Sequence, residues 1–449
     1  MLTRLLFFAG LVLFAQGLHA APIPANYIVV VSQSTNADEG WRQVVDALAQ
    51  QHNAQVVTFS RRPSEALTQL KEVFPKYTCF VAQPQEATRE FVAEVHQLTR
   101  HLDDDPYTDT HWGILTGHSA QATLKHAQPV PSLAIHKVAS GTELALECCE
   151  EGLCYDELIQ HKLLQKKKGD DAAEVRGPGD TTAALVQSLN DYEADLFVTS
   201  GHATERNWQI GFRYLNGYFR SDDGKLFGLD TKDVRHDVDS QNPKVYMAVG
   251  NCLMGHIDSK DAMALAWMKS AGVRQMIGYT VVTWYGYGGW GCLDYFVEQP
   301  GRYSFSEGFL ANHHALLHRL QREDLSKGDR RGLEYDRDVV AFYGDPAWEA
   351  RMAPGLQRFE QTLTESDGVF TLSIKPLQGE SSFGTVNNNG SQRGGRPFVQ
   401  FLNHRIGAAT VVEGADLNPV ITDDFILVPR PETCDPNRTY KVVFRAKSL

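Results

Sequence analysis

Lys244-Val245-Tyr246-Met247-Ala248-Val249-Gly250-Asn251-Cys252 is an apolar run that stops on Gly-Asn and then presents one thiol. A short apolar run closed by turn residues reads as a buried strand, and open α/β sheets place reactive groups at the carboxyl ends of such strands, facing a crevice. The construction occurs once more upstream, in Asp195-Leu196-Phe197-Val198-Thr199-Ser200-Gly201-His202, where the small-residue stop is followed by an imidazole. A thiol and an imidazole on two strand ends form a candidate Cys/His pair for nucleophilic catalysis.

The chain on either side supports an α/β frame. Tyr27 to Ser32 is a β-branched run fit for a central parallel strand, and Trp41 to Gln50 follows with Trp41, Val44, Val45 and Leu48 at helical spacing. Strands are expected again at Ala54 to Phe59, Tyr77 to Ala82, His111 to Thr116 and Arg274 to Val282. They alternate with helices at Ala66 to Phe74, Glu86 to Leu98, Ser119 to His126, Thr181 to Tyr192 and Asp261 to Ala271. Strand alternating with helix implies a largely parallel layer. From about Leu356 the texture changes to short alternating runs (Val369 to Ile374, Pro397 to Leu402, Ala409 to Val412, Thr439 to Ala446) with an Asn/Gly/Ser tip at Asn387 to Gly395, which reads as a small Ig-like β-sandwich.

Several stretches are expected to lie outside this frame. Glu150 to Asp180, with Lys166-Lys167-Lys168 and Gly177-Pro178-Gly179, reads as an exposed mobile loop, and a cut in it is one route to controlling activity. Thr283-Trp284-Tyr285-Gly286-Tyr287-Gly288-Gly289-Trp290-Gly291 reads as an aromatic, glycine-rich loop just past a strand end, and Phe342 to Trp348 as a tight turn. Phe305 to Leu320 is a helix whose His313, His314 and His318 are expected on its surface; Ala315 stands where the zinc-peptidase pattern needs glutamate.

The 449 residues suffice for two or three domains, and 42% hydrophobic with 22% charged residues is ordinary for a soluble globular chain. The net charge of -12 is spread without an acidic block, which argues against nucleic acid or an anionic membrane as partner. Met1 to Ala20 carries Arg4, a short apolar centre from Leu5 to Phe14 and small residues at Ala20 and Ala21, the pattern of a secretory signal cleaved near Ala20 and too short to span a bilayer. The mature chain is therefore expected in the periplasm or outside the cell. Seven cysteines in an exported chain permit disulfides, and Cys148, Cys149 and Cys154 look like a local staple. No fourth ligand stands near them for zinc.

A cysteine peptidase needs a thiolate, a base that exchanges its proton, and backbone donors for the oxyanion. Cys252 can be the thiolate, His202 the base, and the N–H groups of Ala203 and Cys252 the oxyanion donors. An acidic residue orienting His202 would come from upstream, with Glu143 and Asp180 as candidates between which the sequence does not choose.

Ser-Gly-His-Ala at 200 to 203, Ala-Val-Gly-Asn-Cys at 248 to 252, and Gly272 to Gly278 with Trp284 behind it resemble the catalytic half of the gingipain family of secreted cysteine peptidases, relatives of caspases and legumains. The Gly344-Asp345-Pro346 turn adds to a likeness that covers about residues 25 to 352. The resemblance implies a caspase-like α/β catalytic unit in two subdomains, 25–130 and 131–355, ahead of the sandwich at 356–449. It implies protein or peptide substrates, Cys252 as nucleophile with His202 as its partner, and a specificity-pocket wall at Thr283 and Trp284. One departure stands out, since the family usually carries glycine after the histidine and this chain has Ala203. That residue motivates a rival reading, a secreted peptide- or glycan-binding protein that keeps the fold without full activity. No cofactor is expected. Structural calcium accompanies the family, but Asp103-Asp104-Asp105 and Asp222-Asp223 lack a recognisable loop spacing and read as solvated turns.

Overall fold

Buried strands cannot leave backbone N–H and C=O groups unpaired, so the apolar runs must find one another. In the computed structural model, which describes residues 26–449, they do so in one sheet of twelve strands, of which the two at one edge are more polar; the signal sequence read at 1–20 lies outside the described residues. The strands are β1 (Tyr27–Ser32), β2 (Gln55–Phe59), β3 (Tyr77–Val81), β4 (His111–Leu115), β5 (Lys137–Ser140) and β6 (Glu151–Tyr155). The others are β7 (Lys162–Lys166), β8 (Ala173–Arg176), β9 (Leu196–Thr199), β10 (Lys244–Ala248), β11 (Val273–Tyr279) and β12 (Val340–Tyr343). Their spatial order is β2-β1-β3-β4-β12-β11-β10-β9-β5-β6-β7-β8.

β1 to β4 run parallel to one another, as do β11, β10, β9, β5 and β6. Between the two groups β12 is parallel to β4 and antiparallel to β11, so the groups point in opposite directions within one sheet. In the second group the chain lays β5 and β6 to one side, returns to β9, and continues to β10 and β11 on the other. The change of direction falls between β5 and β9, and the carboxyl ends of those strands open the crevice that such a switch point creates. The fold is therefore mixed α/β with a mostly parallel central sheet, followed by an all-β unit, as the sequence pattern implied.

The all-β unit has one sheet of Phe359–Ser366, Val369–Pro376, Tyr440–Arg445 and Thr410–Glu413, and a second of Phe398–Phe401, Phe425–Val428 and Val420–Ile421. Phe370, Leu372, Phe398, Val442 and Phe444 fill its core. A separate apolar layer, with Tyr295, Tyr303 and Leu316 facing Val399, Phe425 and Leu427, fastens it to the helices Tyr287–Phe296 and Phe305–Leu320.

Several stretches depart from expectation. His313 and His314 are buried, not on the helix surface: His314 lies under the sandwich, stacked on Phe425 at 4.1 Å, and His313 faces the α/β body, where it bonds Thr108 Oγ1 at 3.0 Å and the Arg337 carbonyl at 3.0 Å. The glycine-rich run after Trp284 is helical from Tyr287, with Gly289 flush against the carbonyl of Val249, an approach no Cβ would permit. Glu150 to Asp180 is not one free loop, since it supplies β6, β7 and β8 at the sheet edge. Phe342 and Tyr343 end β12, and only Gly344 onward turns. All seven cysteines are unpaired thiols; Cys148, Cys149 and Cys154 are buried core residues, not a staple.

Asp103 and Asp105 bring carboxylate oxygens within 4.8 Å of Asp423 from the sandwich, and Arg405 pairs with Asp423. Behind them Asp109 is 5% exposed, and burial together with Asp103 pushes its carboxyl up to about 8. A free aspartate titrates near ~4, so between about pH 4 and 8 the folded chain holds a proton that the unfolded chain releases, and stability falls as pH rises through that window. Asp109→Asn should flatten this decline, seen as a smaller drop in Tm from pH 5 to 8 than in the parent.

Candidate active site

β9 and β10 are adjacent and parallel, with Thr199 opposite Ala248. Their continuations would splay apart without a tether, and the buried side chain of Asn251 supplies one. Its Oδ1 accepts from the Thr199 hydroxyl at 2.6 Å, and its Nδ2 donates to the Gly201 carbonyl at 3.2 Å. The Asn251 carbonyl in turn accepts from Thr283 Oγ1 at 3.2 Å, so the end of β11 joins the same knot. Cys252 follows at once, and Leu253 takes a left-handed φ of 57°, a sparsely populated conformation for leucine. The Leu253 N–H is held by the Val281 carbonyl at 3.0 Å. The strand thus ends on a fixed elbow with the thiol at its tip.

The Cys252 sulfur accepts from the Thr283 N–H at 3.3 Å and is only partly buried. Five of the other thiols are buried, and desolvation pushes them up, Cys292 to about 12; such thiols are inert as nucleophiles. Cys434, the other partly exposed one, lies in the sandwich against the Gly379 carbonyl at 3.7 Å.

His202 follows Gly201, whose φ of 94° turns the chain out of β9. The imidazole is exposed and stacks on Phe212, with centroids 4.7 Å apart and planes 29° apart. The His202 carbonyl accepts from Gln209 N–H at 2.9 Å, and Ala203 bridges to Trp208. Ala203 itself keeps a negative φ, so alanine meets no backbone strain where a glycine was expected to matter. Among the described residues, neither the Ala203 nor the Cys252 N–H is taken by an intramolecular acceptor, and no hydrogen bond joins the thiol to the imidazole.

Of the two acidic candidates, Glu143 pairs with Lys162 at 3.3 Å. Asp180 accepts from Thr182 N–H at 3.0 Å and Thr231 N–H at 2.6 Å, the work of a turn and helix cap. Neither carboxylate bonds His202. Thr283 lies beside the thiol through its N–H, and Trp284, the next residue, is 50% exposed and stacked on Tyr335 at 6.0 Å. Sequence reading did not single out Asn251 as a tether, Phe212 as the face behind the imidazole, or Tyr335. Asn251 stood in the quoted motif, whereas nothing in the sequence marks Phe212 or Tyr335.

Two solved structures are similar to this chain. One is the Arg-specific cysteine proteinase gingipain R, at 12% identity and a TM-score of 0.47 over 96% of this chain and 100% of that one. The other is the complex of Porphyromonas gingivalis RgpB pro- and mature domains, at 12% identity and a TM-score of 0.46 over 94% and 99%. No protein-family model and no curated protein matches the chain.

Asn251→Ala would strand the Gly201 carbonyl and leave the Thr199 hydroxyl with Tyr246 Oη as its one remaining side-chain partner. The variant should lose about 1–3 kcal/mol, read as a lower urea midpoint at unchanged slope. Asn251→Asp should not restore it, because its carboxylate would face the Gly201 carbonyl.

Proposed function

We propose that the chain is a secreted cysteine endopeptidase acting through Cys252 and His202. One observation carries the reading: a partly exposed thiol and an exposed imidazole stand on adjacent strand ends tied by Asn251, with the Ala203 and Cys252 N–H groups free beside them. The export signal read at 1–20 supports secretion. Phe212, Val282 and Trp284, 45%, 57% and 50% exposed, offer apolar surface on loops next to these residues, suited to an extended peptide.

The chemistry is acyl transfer in two halves. Cys252 gives its proton to His202 and its sulfur attacks the scissile carbonyl, while the N–H groups of Ala203 and Cys252 hold the oxyanion. His202 then protonates the departing amine, the C–N bond breaks and a thioester remains. Water, deprotonated by His202, attacks the thioester; the carboxylic acid leaves and the thiol is restored. His202 and Cys252 make no hydrogen bond in the structure, and such contacts commonly tighten only when substrate is bound. Neither Glu143 nor Asp180 is given a role in these steps, since each is committed elsewhere.

Incubation with an acyloxymethyl ketone peptide probe should label the parent chain on Cys252 and leave Cys252→Ala unlabelled. Parent enzyme should cut a mixture of peptides at internal bonds, and Cys252→Ala should not. Equal labelling of the two chains would overturn the assignment of the nucleophile.

A further inference from the structure

The carboxyl ends of β5, β6, β9, β10 and β11 lead to Thr142, Glu157, His202, Cys252 and Thr283 in turn. A residue from the sandwich meets them. The Asn/Gly/Ser tip read at Asn387 to Gly395 folds against the α/β body. Its base is held by buried charge: Arg393 donates to Asp294 at 2.7 Å and pairs with Glu298. Arg396, 1% exposed, lies 3.6 Å from the Tyr287 ring centroid and donates to Asn312 at 3.0 Å. At its apex Gly390, with φ 101°, lies against the indole of Trp290, which also abuts Gly250 two residues before the thiol; a Cβ at either glycine would collide with that ring.

Next to Gly390, Asn389 Nδ2 donates to Thr142 Oγ1 at 2.8 Å and to Glu157 Oε1 at 3.1 Å. Glu157 is 6% exposed, and its Oε2 has no hydrogen-bond partner, so Asn389 is a principal hold on a buried carboxyl. The main chain of Glu157 carries a second load. Its carbonyl accepts from the N–H groups of Phe212 at 2.6 Å and Arg213 at 3.1 Å, and Tyr214 Oη donates to the neighbouring Asp156 carbonyl at 2.7 Å. Three bonds therefore fix the 212–214 loop to residues 156 and 157, and Phe212 is the ring on which His202 stacks.

We propose that Asn389 of the sandwich and Glu157 of the body are positioning residues for the His202 imidazole, acting through the Phe212 ring. The β-sandwich is thus part of the site and not an appended module. The inference rests on the reading of His202 as the base of a peptidase, but its physical core, a link from Asn389 to the imidazole, is separable from that reading. Loss of the Asn389 amide frees the Glu157 carboxyl and relaxes the 212–214 loop, so the imidazole samples more orientations. Reactions that need it aligned slow down, while peptide contacts elsewhere in the crevice persist.

The test uses the full chain with three variants: Asn389→Ala, Asn389→Gln as the conservative replacement, and Phe212→Leu, which changes a half-exposed side chain and spares the fold. Two readouts are taken, the NMR titration of the His202 ring and peptide hydrolysis. Asn389→Ala and Phe212→Leu should both displace the His202 titration curve and ring shifts. Both should lower kcat by roughly ten- to a hundredfold, with KM little changed in Asn389→Ala, whose side chain lies outside the peptide surface, and Asn389→Gln should recover part of the loss. An unchanged His202 titration in Asn389→Ala would overturn the proposal, whatever Phe212→Leu does. If the parent fails to cut any peptide yet the titration moves in both variants, the link stands and the peptidase reading falls.

Discussion

A single buried amide holds the functional edge of this molecule together. Parallel strands are hydrogen-bonded only as far as their ladder runs, and β9 and β10 stop at Thr199 and Ala248. Beyond that point each chain must turn away, and an unsatisfied hydroxyl or carbonyl in the turn would cost as much as the tether gains. Asn251 offers an acceptor and a donor on one short, stiff side chain, and spends them on Thr199 and Gly201. Serine would have the wrong reach, and aspartate would have no donor for the carbonyl. The tether fixes where His202 leaves one strand and where Cys252 leaves the next, and the left-handed Leu253 then locks the direction of departure.

The second constraint comes from outside the α/β unit. Arg393 and Arg396 insert among Asp294 and Glu298 where little solvent reaches. Burying such charges is costly unless each finds its partner, so the cluster favours one seating of the sandwich and penalises any other. Apolar contact through Phe425, Leu427 and Val399 supplies attraction without direction. The ion pairs supply the register, and with it the placement of Gly390 on Trp290 and of Asn389 on Glu157.

Much of this frame was legible in the sequence because burial leaves a periodic trace. Tyr27–Ser32 and Phe305–Leu320 fall where the apolar pattern put them, and the two strands ending at the thiol and the imidazole are neighbours. What escaped was decided by contacts distant in sequence. His314 looks like a surface residue until Phe425 covers it, and His313 until His96 and Thr108 do. Gly288-Gly289 reads as a loop because glycine weakens helices, yet here it lets a helix press on Val249. Lys166-Lys167-Lys168 reads as solvated, and the strand ending at Lys166 is indeed at an edge, where charge is compatible with β structure. The polar tip at Asn387 to Gly395 was legible in composition alone, and composition does not say whether a turn faces water or another domain.

The same logic bears on Ala203. A glycine after the histidine would matter if the chain had to adopt positive φ there, but the chain takes that conformation two residues earlier, at Gly201. The turn out of β9 is then complete before His202, and residue 203 enters an extended bridge to Trp208 that any residue can form. Trp208 is itself anchored by its Nε1–H to the Ser200 carbonyl at 2.7 Å, so the bridge is referred back to the strand it left. Alanine at this position therefore leaves the main-chain path intact, and among the described residues its N–H has no intramolecular acceptor. The departure that motivated a non-catalytic reading from the sequence loses its physical basis once the positive φ is located at Gly201.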